Sequence, residues 1–212
     1  MKVAVIGTGY VGLVSGACFS EFGHHVICVD KDADKVARLK AGEIPIFEPG
    51  LEDLVARNVE AGRLTFTTDT AEGMADAAAV FIAVGTPSRR GDGHADLTYV
   101  HAAAGEIGEQ IRDYTVIVTK STVPVGTTSE IERRLRERYP DTAFDVVSNP
   151  EFLREGAAIE DFMRPNRVVV GTTSERAKDV VRELYRPLFL NDTPVLFTNP
   201  ETSELIKYAS NA

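Results

Sequence analysis

A glycine-rich turn near the start of the chain has the residue types that bind a dinucleotide. Gly7, Gly9 and Gly12 form a G-x-G-x-x-G pattern that follows a short apolar run and opens a helical stretch. Glycines at these positions permit a tight turn and let a pyrophosphate approach the backbone, where the helix N-terminus offers amides and partial positive charge. The pattern therefore predicts a phosphate-binding turn that includes Tyr10 and Val11.

An acidic residue follows at the distance expected for recognition of a ribose. Asp30 ends the next apolar run, 18 residues beyond Gly12. A carboxylate there accepts hydrogen bonds from the adenosine ribose and repels a 2′-phosphate, which favours NAD over NADP. Lys31 and Lys35 lie nearby and blunt that repulsion. The alternative explanation is a tight strand-to-helix turn in an unrelated α/β fold.

Three later segments carry polar side chains directly after predicted strands. Thr86 follows one strand, Thr122 follows the next, and Glu151 and Glu155 follow a third. Because parallel strands end at one edge of a sheet, where ligands bind, we expect all four on the side of the glycine turn. Each also has a structural explanation, since turn hydroxyls bond their own backbone and acids favour the first turn of a helix.

The last predicted helix brings two further polar residues onto one face. Lys207 and Asn211 stand four residues apart and, considered alone, would form a solvated face. The helix begins near Pro200 with an N-cap and a first-turn acid, and no stop signal follows. We expect residues 199–212 to start a connecting helix after a domain over residues 1–198. The alternative is a frayed C-terminal helix.

The elements that position these residues alternate along the chain. Runs that are apolar nearly throughout are typical of strands covered on both faces, and amphipathic helical stretches lie between them. The alternation predicts a doubly wound, mostly parallel, Rossmann-like α/β sheet. The predicted strands cover residues 3–6, 25–29, 80–84, 116–119, 145–147, 168–170 and 195–197, and the predicted helices cover residues 11–22, 31–40, 51–61, 127–139 and 175–188.

The composition excludes several functions. Its 23 Lys and Arg against 32 Asp and Glu give a net charge of -9, which argues against a general nucleic-acid binder. No apolar run approaches the ~18 residues that span a bilayer, and the first apolar run is too short for a signal peptide. Two cysteines, Cys18 and Cys28, are too few for a disulfide framework or a Cys-rich metal site, so we expect no metal and a cytoplasmic location.

Five motifs stand in order along the chain. They are MKVAVIGTGYVGL at residues 1–13, FEPGL at 47–51, VGTP at 84–87, STVPVGT at 121–127 and NPEFLREG at 149–156. In order and spacing they resemble the N-terminal part of the UDP-glucose/GDP-mannose dehydrogenase family, and the resemblance covers essentially the whole chain. Within it, residues 157–167 look more like bacterial members that act on UDP-glucose than like members that act on GDP-mannose.

The resemblance implies an NAD-dependent, four-electron oxidation. The C6 alcohol of a nucleotide sugar becomes a carboxylate through an aldehyde, a thiohemiacetal and a thioester on a cysteine. On the family's pattern, Thr122 orients water, and Glu151 and Glu155 handle protons and the hydrolytic water. Lys207 and Asn211 stabilise negative charge on the substrate oxygen.

The resemblance also implies binding positions and partners. NAD is the expected cofactor and UDP-glucose the expected substrate, with no nucleic-acid or membrane partner and a homodimer formed through the connecting helix. The expected cofactor positions are Gly7, Gly9, Tyr10, Val11, Gly12, Asp30, Lys35, Thr86, Thr122 and Glu155. The expected sugar-nucleotide positions are Glu151, Phe152, Leu153, Lys207 and Asn211.

One departure from the family pattern concerns the nucleophile. The family's cysteine lies well beyond residue 212. Cys18 falls inside the first predicted helix and Cys28 inside the second predicted strand, where buried structural thiols are common. We therefore expect a cofactor-binding portion without the UDP-sugar domain.

Other functions stay open at this point. The same chemistry could act on GDP-mannose or a UDP-N-acetylhexosamine. A non-catalytic dinucleotide-binding regulatory module would need only the glycine turn and Asp30. A different hydroxyacid dehydrogenase would not explain residues 149–156.

Overall fold

In the computed structural model, which describes residues 1–89, 91 and 93–211, strands and helices alternate as expected for an α/β protein. The strands are β1 (Lys2–Ile6), β2 (His25–Val29), β3 (Leu64–Thr67), β4 (Ala79–Ile82), β5 (Thr115–Thr119), β6 (Phe144–Ser148), β7 (Val168–Gly171) and β8 (Val195–Thr198). The helices are α1 (Tyr10–Glu21), α2 (Ala33–Lys40), α3 (Leu51–Glu60), α4 (Thr70–Met74), α5 (Thr98–Gln110), α6 (Thr127–Arg138), α7 (Ala158–Met163), α8 (Glu175–Leu184) and α9 (Pro200–Asn211), with a short 3-10 helix at Arg186–Asn191.

The strands described form one sheet in the order β3-β2-β1-β4-β5-β6-β7-β8. From β3 to β6 every neighbouring pair is parallel. An antiparallel contact between Ser148 and Gly171 joins β6 to β7, and β8 pairs with β7 in parallel. The predicted mostly parallel, doubly wound sheet is confirmed. Because β1 lies between β2 and β4, the crevice where such sheets bind ligands opens at the carboxyl ends of β1 and β4.

Helices cover both faces of the sheet. Along β1, Val3 and Val5 belong to a core shared with α1, α3, α7 and α8, whereas Ala4 and Ile6 belong to a core shared with α4, α5 and α6. The two-residue period of a strand therefore sends alternate side chains into two apolar cores. This double burial explains why the strands are apolar nearly throughout in sequence.

Several elements differ from the predicted ones. The sequence pattern does not predict β3, α4, α5 or α7. The predicted strand 80–84 is wrong at its end, because Ala83 and Val84 leave the sheet. The predicted helix 175–188 is also too long: α8 ends at Leu184 and a 3-10 helix follows with Pro187 in its first turn. Proline lacks the amide that would continue the α-helical hydrogen bonds.

The helix α9 packs against the sheet. Its predicted N-cap is confirmed, since Asn199 Oδ1 accepts from the Thr202 amide at 2.8 Å. A Cβ at Gly171 would lie 2.6 Å from Pro200 Cα, so only glycine allows this close approach of β7 and α9. Because β8 runs opposite to β6, α9 returns to the edge where β1 to β6 end. No helix in the described ranges has the length and apolar character to cross a membrane.

Candidate active site

The glycines of the first turn have different structural roles. Gly7 has a φ of +101°, and a Cβ there would lie 2.8 Å from the Ala83 carbonyl oxygen. A Cβ at Gly12 would lie 1.9 Å from the Gly7 carbonyl oxygen, so neither position admits a side chain. A Cβ at Gly9 would meet nothing within 4 Å. Gly9 therefore leaves open space beside the N-terminus of α1, which has no side-chain cap and no acid in its first turn.

A cleft of about 700 Å³ opens at the carboxyl ends of β1, β2 and β4. It begins at the glycine turn and reaches α5, and its walls combine small apolar residues with a few charged ones. A cleft of this size and lining suits a nucleoside with its phosphates directed toward α1. The lining residues are Ile6, Gly7, Gly9, Val29, Asp30, Lys31, Asp32, Lys35, Thr70, Ala83, Val84, Gly85, Pro87, Tyr99, Ala102, Ala103 and Glu106.

Asp30 lies in this cleft as an ionised carboxylate. Its Oδ2 accepts from the Thr8 amide at 2.9 Å, from Thr8 Oγ1 at 2.6 Å and from Lys35 Nζ at 2.8 Å. Its Oδ1 accepts from the Asp32 amide at 3.1 Å. Burial opposes ionisation, but the bonds from Lys35 and Thr8 outweigh it and lower the Asp30 pKa to about 2. Since Oδ1 has one described donor and two lone pairs, it can accept a further hydrogen bond from a ribose hydroxyl.

The two lysines near Asp30 have different partners. Lys35 forms an ion pair with Asp30 and so reduces directly the repulsion that Asp30 would exert on a 2′-phosphate. Lys31 pairs with Glu106 of α5, which offsets its charge at the wall of the cleft. The preference for NAD over NADP therefore depends on how far the positive charge of Lys35 offsets the repulsion between Asp30 and a 2′-phosphate.

Tyr10 connects the glycine turn to the loop that follows β6. Its hydroxyl donates to Glu48, a buried carboxylate that also accepts from the amides of Gly156 and Ala158, both at 2.8 Å. Burial opposes ionisation of Glu48, but these bonds outweigh it and lower its pKa. Burial and the bond to Glu48 raise the Tyr10 pKa to about 12. The Tyr10 side chain is thus committed to a structural bond, and only its backbone remains for a cofactor.

The loops after β4 and β5 are joined to each other. Thr86 Oγ1 donates to the Thr122 carbonyl oxygen at 3.0 Å, and Ser121 Oγ donates to the Val84 carbonyl oxygen at 2.7 Å. These hydroxyls therefore bond the neighbouring loop and not their own backbone. Both threonines lie half-buried at the edge that carries the glycine turn.

Glu151 and Lys207 meet at the same edge of the sheet. Lys207 Nζ donates to Glu151 Oε1 at 3.1 Å, and both side chains are almost fully buried. Glu151 Oε2 accepts from the Leu153 amide at 2.6 Å, and Lys207 Nζ lies 5.4 Å from the centre of the Phe152 ring. Lys207 is therefore not part of a solvated face. A carboxylate and an ammonium in contact can exchange a proton with a ligand and stabilise a negative oxygen.

Glu155 does not take part in this pair. It is exposed, makes no described hydrogen bond or ion pair, and its charge contributes to the raised pKa of Tyr10. The structure therefore places Glu155 beside the glycine turn and Glu151 beside α9.

Asn211 lies at the rim of a second cleft, of about 540 Å³. Asn211 is exposed, and the other residues expected to bind the sugar nucleotide, apart from Glu151, line the same cleft. The lining also includes several arginines, which suits an anionic ligand. The lining residues are Phe152, Leu153, Arg154, Glu160, Asp161, Arg164, Pro165, Asn166, Arg167, Lys207, Ser210 and Asn211.

Sequence reasoning missed three buried charged residues, namely Glu48, Glu204 and Lys120. Glu204 of α9 accepts from the Gly126 amide at 2.6 Å, the Thr128 amide at 2.8 Å and Thr128 Oγ1 at 2.6 Å. It thereby caps α6, which has no cap from Gly126 itself. The available signal was a charged residue inside a quoted motif for Glu48 and directly before one for Lys120, whereas Glu204 had no such signal.

Neither cysteine can serve as a nucleophile in this fold. Cys18 and Cys28 are buried and unpaired, and burial raises the pKa of both thiols to about 12. The interpretation of both as structural thiols is confirmed. Within the described ranges, no cluster of three or more His, Cys, Asp or Glu side chains could hold a metal ion.

The fold and this site together define a dinucleotide-binding domain with a carboxylate–ammonium pair at the same edge of the sheet as the cleft. Residues 1–189 match the UDP-glucose/GDP-mannose dehydrogenase family, NAD binding domain. The chain belongs to this family, and the resemblance seen in the sequence is confirmed, together with NAD as the family's cofactor.

Relatives of known name agree with this assignment. The chain is 63% identical to the UDP-glucose 6-dehydrogenase of Rhizobium meliloti (strain 1021), with 100% of this chain and 49% of the relative covered. A UDP-glucose dehydrogenase structure from Pyrobaculum islandicum gives a TM-score of 0.93 at 45% identity, covering 99% of this chain and 49% of that one. A ternary complex of GDP-mannose dehydrogenase from Pseudomonas aeruginosa gives a TM-score of 0.93 at 38% identity, with 100% of this chain and 49% of that chain covered. The chain spans about half the length of the curated relatives it matches.

Proposed function

We propose that this chain is the cofactor-binding part of an NAD-dependent UDP-glucose 6-dehydrogenase, which oxidises UDP-glucose to UDP-glucuronate. The observation that carries the proposal is the contact between Glu151 and Lys207, at the same edge of the sheet as the dinucleotide cleft. A regulatory module that only senses the cofactor has no use for such a pair. The high identity to a relative named for this activity supports the choice of substrate.

The residues of this chain have separate roles in the proposed reaction. When bound, NAD accepts a hydride from the sugar carbon, and a four-electron oxidation needs two such transfers. Asp30 holds the adenosine ribose, and the N-terminus of α1 faces the pyrophosphate. Glu151 accepts the proton from the reacting hydroxyl, and Lys207 stabilises the negative charge on its oxygen. Thr122, after β5, orients the water that completes the oxidation.

The remaining residues contribute through the two clefts. Glu155, beside the glycine turn, acts on the cofactor side and takes part in handling the hydrolytic water. Phe152, Leu153 and Asn211 line the second cleft and contact the sugar nucleotide. The arginines of that cleft fit an anionic substrate, whether UDP-glucose or, as the alternative, GDP-mannose or a UDP-N-acetylhexosamine.

The proposal extends to the organisation of the whole protein. Residues 1–198 form the cofactor domain, and residues 199–212 begin a connecting helix that leads to the UDP-sugar domain and its nucleophilic cysteine. The whole protein is a homodimer through that helix. Two buried, unpaired thiols suit a reducing compartment, which favours the cytoplasm.

The decisive experiment compares this chain with the whole protein. We expect residues 1–212 to bind NAD in calorimetry and to give no NADH from UDP-glucose, because no reactive thiol lies near the site. The reading frame beyond Ala212 should encode a cysteine followed by Pro-Lys-Asp, and the product should give two NADH per UDP-glucose. Sustained NADH production by residues 1–212, abolished by Cys18→Ser or Cys28→Ser, would show that the nucleophile is misplaced.

A variant of the pair tests its role directly. In the whole protein, Lys207→Ala should lower kcat by roughly a hundredfold with little change in NAD affinity. Lys178→Ala, which removes a lysine of α8 that lines neither cleft, is the control. Near-normal turnover of Lys207→Ala would show that Lys207 has a structural role only.

A further inference from the structure

A third charged residue lies beneath the Glu151–Lys207 pair. Lys120 follows β5 directly and is only 4% exposed. Its Nζ lies 3.2 Å from Asn149 Oδ1 and 3.3 Å from Tyr185 Oη, and 5.6 Å from the centre of the Phe162 ring. No carboxylate contacts it in the described structure. Moving an ammonium from water to such a place is unfavourable, and a methionine of similar length would fill the space without that cost.

The ammonium is bonded to the start of the loop that carries Glu151. Asn149 Oδ1 accepts from Lys120 and also from Tyr185 Oη at 2.6 Å, and its Nδ2 donates to the Val169 carbonyl oxygen at 2.8 Å. Asn149 is 1% exposed and stands two residues before Glu151. The position of the loop therefore depends on a buried network in which Lys120 supplies the charge.

Lys120 also acts electrostatically on Glu151. Both residues line one small cavity of about 40 Å³. Burial lowers the Lys120 pKa to about 8, and the charge of Glu151 counteracts that shift whereas the charge of Lys207 adds to it. The interaction is mutual, so the Lys120 ammonium attracts the negative charge of Glu151. The charged and titratable groups that contact Glu151 or share its cavity are Lys207 from α9, Lys120 after β5, Asp161 from α7, Arg167 before β7 and Tyr185 after α8, and Cys18 from α1 acts on Lys120.

Resting on the function proposed above, we propose that Lys120 is a positioning residue for the oxidation: its buried ammonium holds Asn149 at the start of the loop and places a positive charge near the Glu151 carboxylate. Lys207 has two partners in the reaction, Glu151 and the substrate oxygen. Lys120 lines the small cavity that it shares with Glu151 and does not line the second cleft. Its ammonium therefore stays near Glu151 while Lys207 turns to the substrate.

The test is the pH profile of the whole protein, with wild-type turnover of UDP-glucose established first. In Lys120→Met we expect the acid limb of the kcat profile to move up by about one pH unit, since a neighbouring cation is lost, and kcat on that limb to fall by up to about tenfold. Activity relative to wild type should recover as the pH rises. The NAD dissociation constant should stay within about twofold, since the cofactor cleft lies elsewhere.

Three further variants separate charge from structure. Lys40→Met removes an exposed lysine at the end of α2 and should change nothing. Tyr185→Phe keeps the ammonium but removes the hydroxyl bond to Asn149, and should lower kcat without moving the acid limb. Lys120→Gln replaces Lys120→Met if the latter does not fold.

An unmoved acid limb in the Lys120 variant that folds would overturn the proposal, whether or not kcat falls. A lower melting temperature accompanied by an unmoved limb would show that Lys120 is only structural. Absence of turnover in the wild type would instead refute the proposed function, so the two failures are distinguishable.

Discussion

Replacing Glu204 with glutamine should weaken the attachment of α9 to α6 measurably. The Glu204 carboxylate is 2% exposed and accepts three bonds, from the Gly126 amide, the Thr128 amide and Thr128 Oγ1. Glutamine has the same shape, and its carbonyl oxygen can keep both bonds to Thr128. Its amide nitrogen, however, faces the Gly126 amide. Both groups are hydrogen-bond donors, so no bond forms between them.

The expected loss follows from this single mismatch. Hydrogen bonds to a buried charged group contribute roughly 1.5–3 kcal/mol each, and a buried donor without a partner adds a similar penalty. One charge-assisted bond is lost and the Gly126 amide loses its partner, so the free energy of unfolding should fall by about 2–3 kcal/mol. Glu204→Ala should cost more, because both Thr128 bonds are lost as well and a cavity remains.

Urea denaturation of the wild-type chain, Glu204→Gln and a matched control measures this loss. Glu201→Gln is the control, since Glu201 lies one turn earlier on α9, is exposed, and bonds Ser129 at the start of α6. Its free energy of unfolding should stay within about 0.5 kcal/mol of wild type, as for other exposed pairs. A Glu204→Gln variant as stable as this control would refute the reasoning that a buried carboxylate holds α9 in place.

Two other measurements test the charges near the clefts. In calorimetry the wild type should bind NAD at least tenfold more tightly than NADP, a difference of about 1.4 kcal/mol in binding free energy. Asp30→Ala should abolish this preference, whereas Asp34→Ala, which changes an exposed residue, should keep it. Equal affinities of the wild type for NAD and NADP would contradict the role of Asp30. Because burial lowers the Lys120 pKa from 10.5 to about 8, the unfolded chain binds more protons between these pH values. The free energy of unfolding should therefore gain up to about 3 kcal/mol from Lys120 as the pH rises from about 8 to about 10.5, a gain that urea denaturation of Lys120→Met should not show.

Local patterns were sufficient to predict the glycine turn and an acidic residue beside it. The glycine turn and Asp30 lie within 24 residues of each other, and their roles follow from backbone space and one carboxylate. The shared edge of Thr86, Thr122 and Glu151 also follows from local information, because it needs only that their strands be parallel. The register and pairing of β1 to β6 confirm that condition.

The missed residues act over distances that a local pattern does not contain. Glu48 bonds Gly156, 108 positions away, and Glu204 bonds Thr128, 76 positions away. In sequence each is a glutamate at or near a helix start, where solvated acids are common. The strand β3 was missed because its four residues alternate with threonine and lack the continuous apolar run of its neighbours. Helix α5 was missed because alanine and glycine fill much of its buried face.

The axial position of α9 determines whether Lys207 reaches Glu151. A helix advances 1.5 Å per residue, so a shift of one residue would separate a 3.1 Å contact. Three contacts fix that position: Pro200 against Gly171, Glu204 against the start of α6, and Lys207 against Glu151 itself. Glu204 and Lys207 lie one turn apart on the same face of α9. The helix α6 begins directly after the loop that carries Thr122, which is proposed to orient water. One face of α9 therefore contacts the end of that loop through Glu204 and the proposed proton acceptor, Glu151, through Lys207. A force that displaces α9 would therefore disturb both groups together, which makes this helix the element that couples the two sides of the proposed reaction.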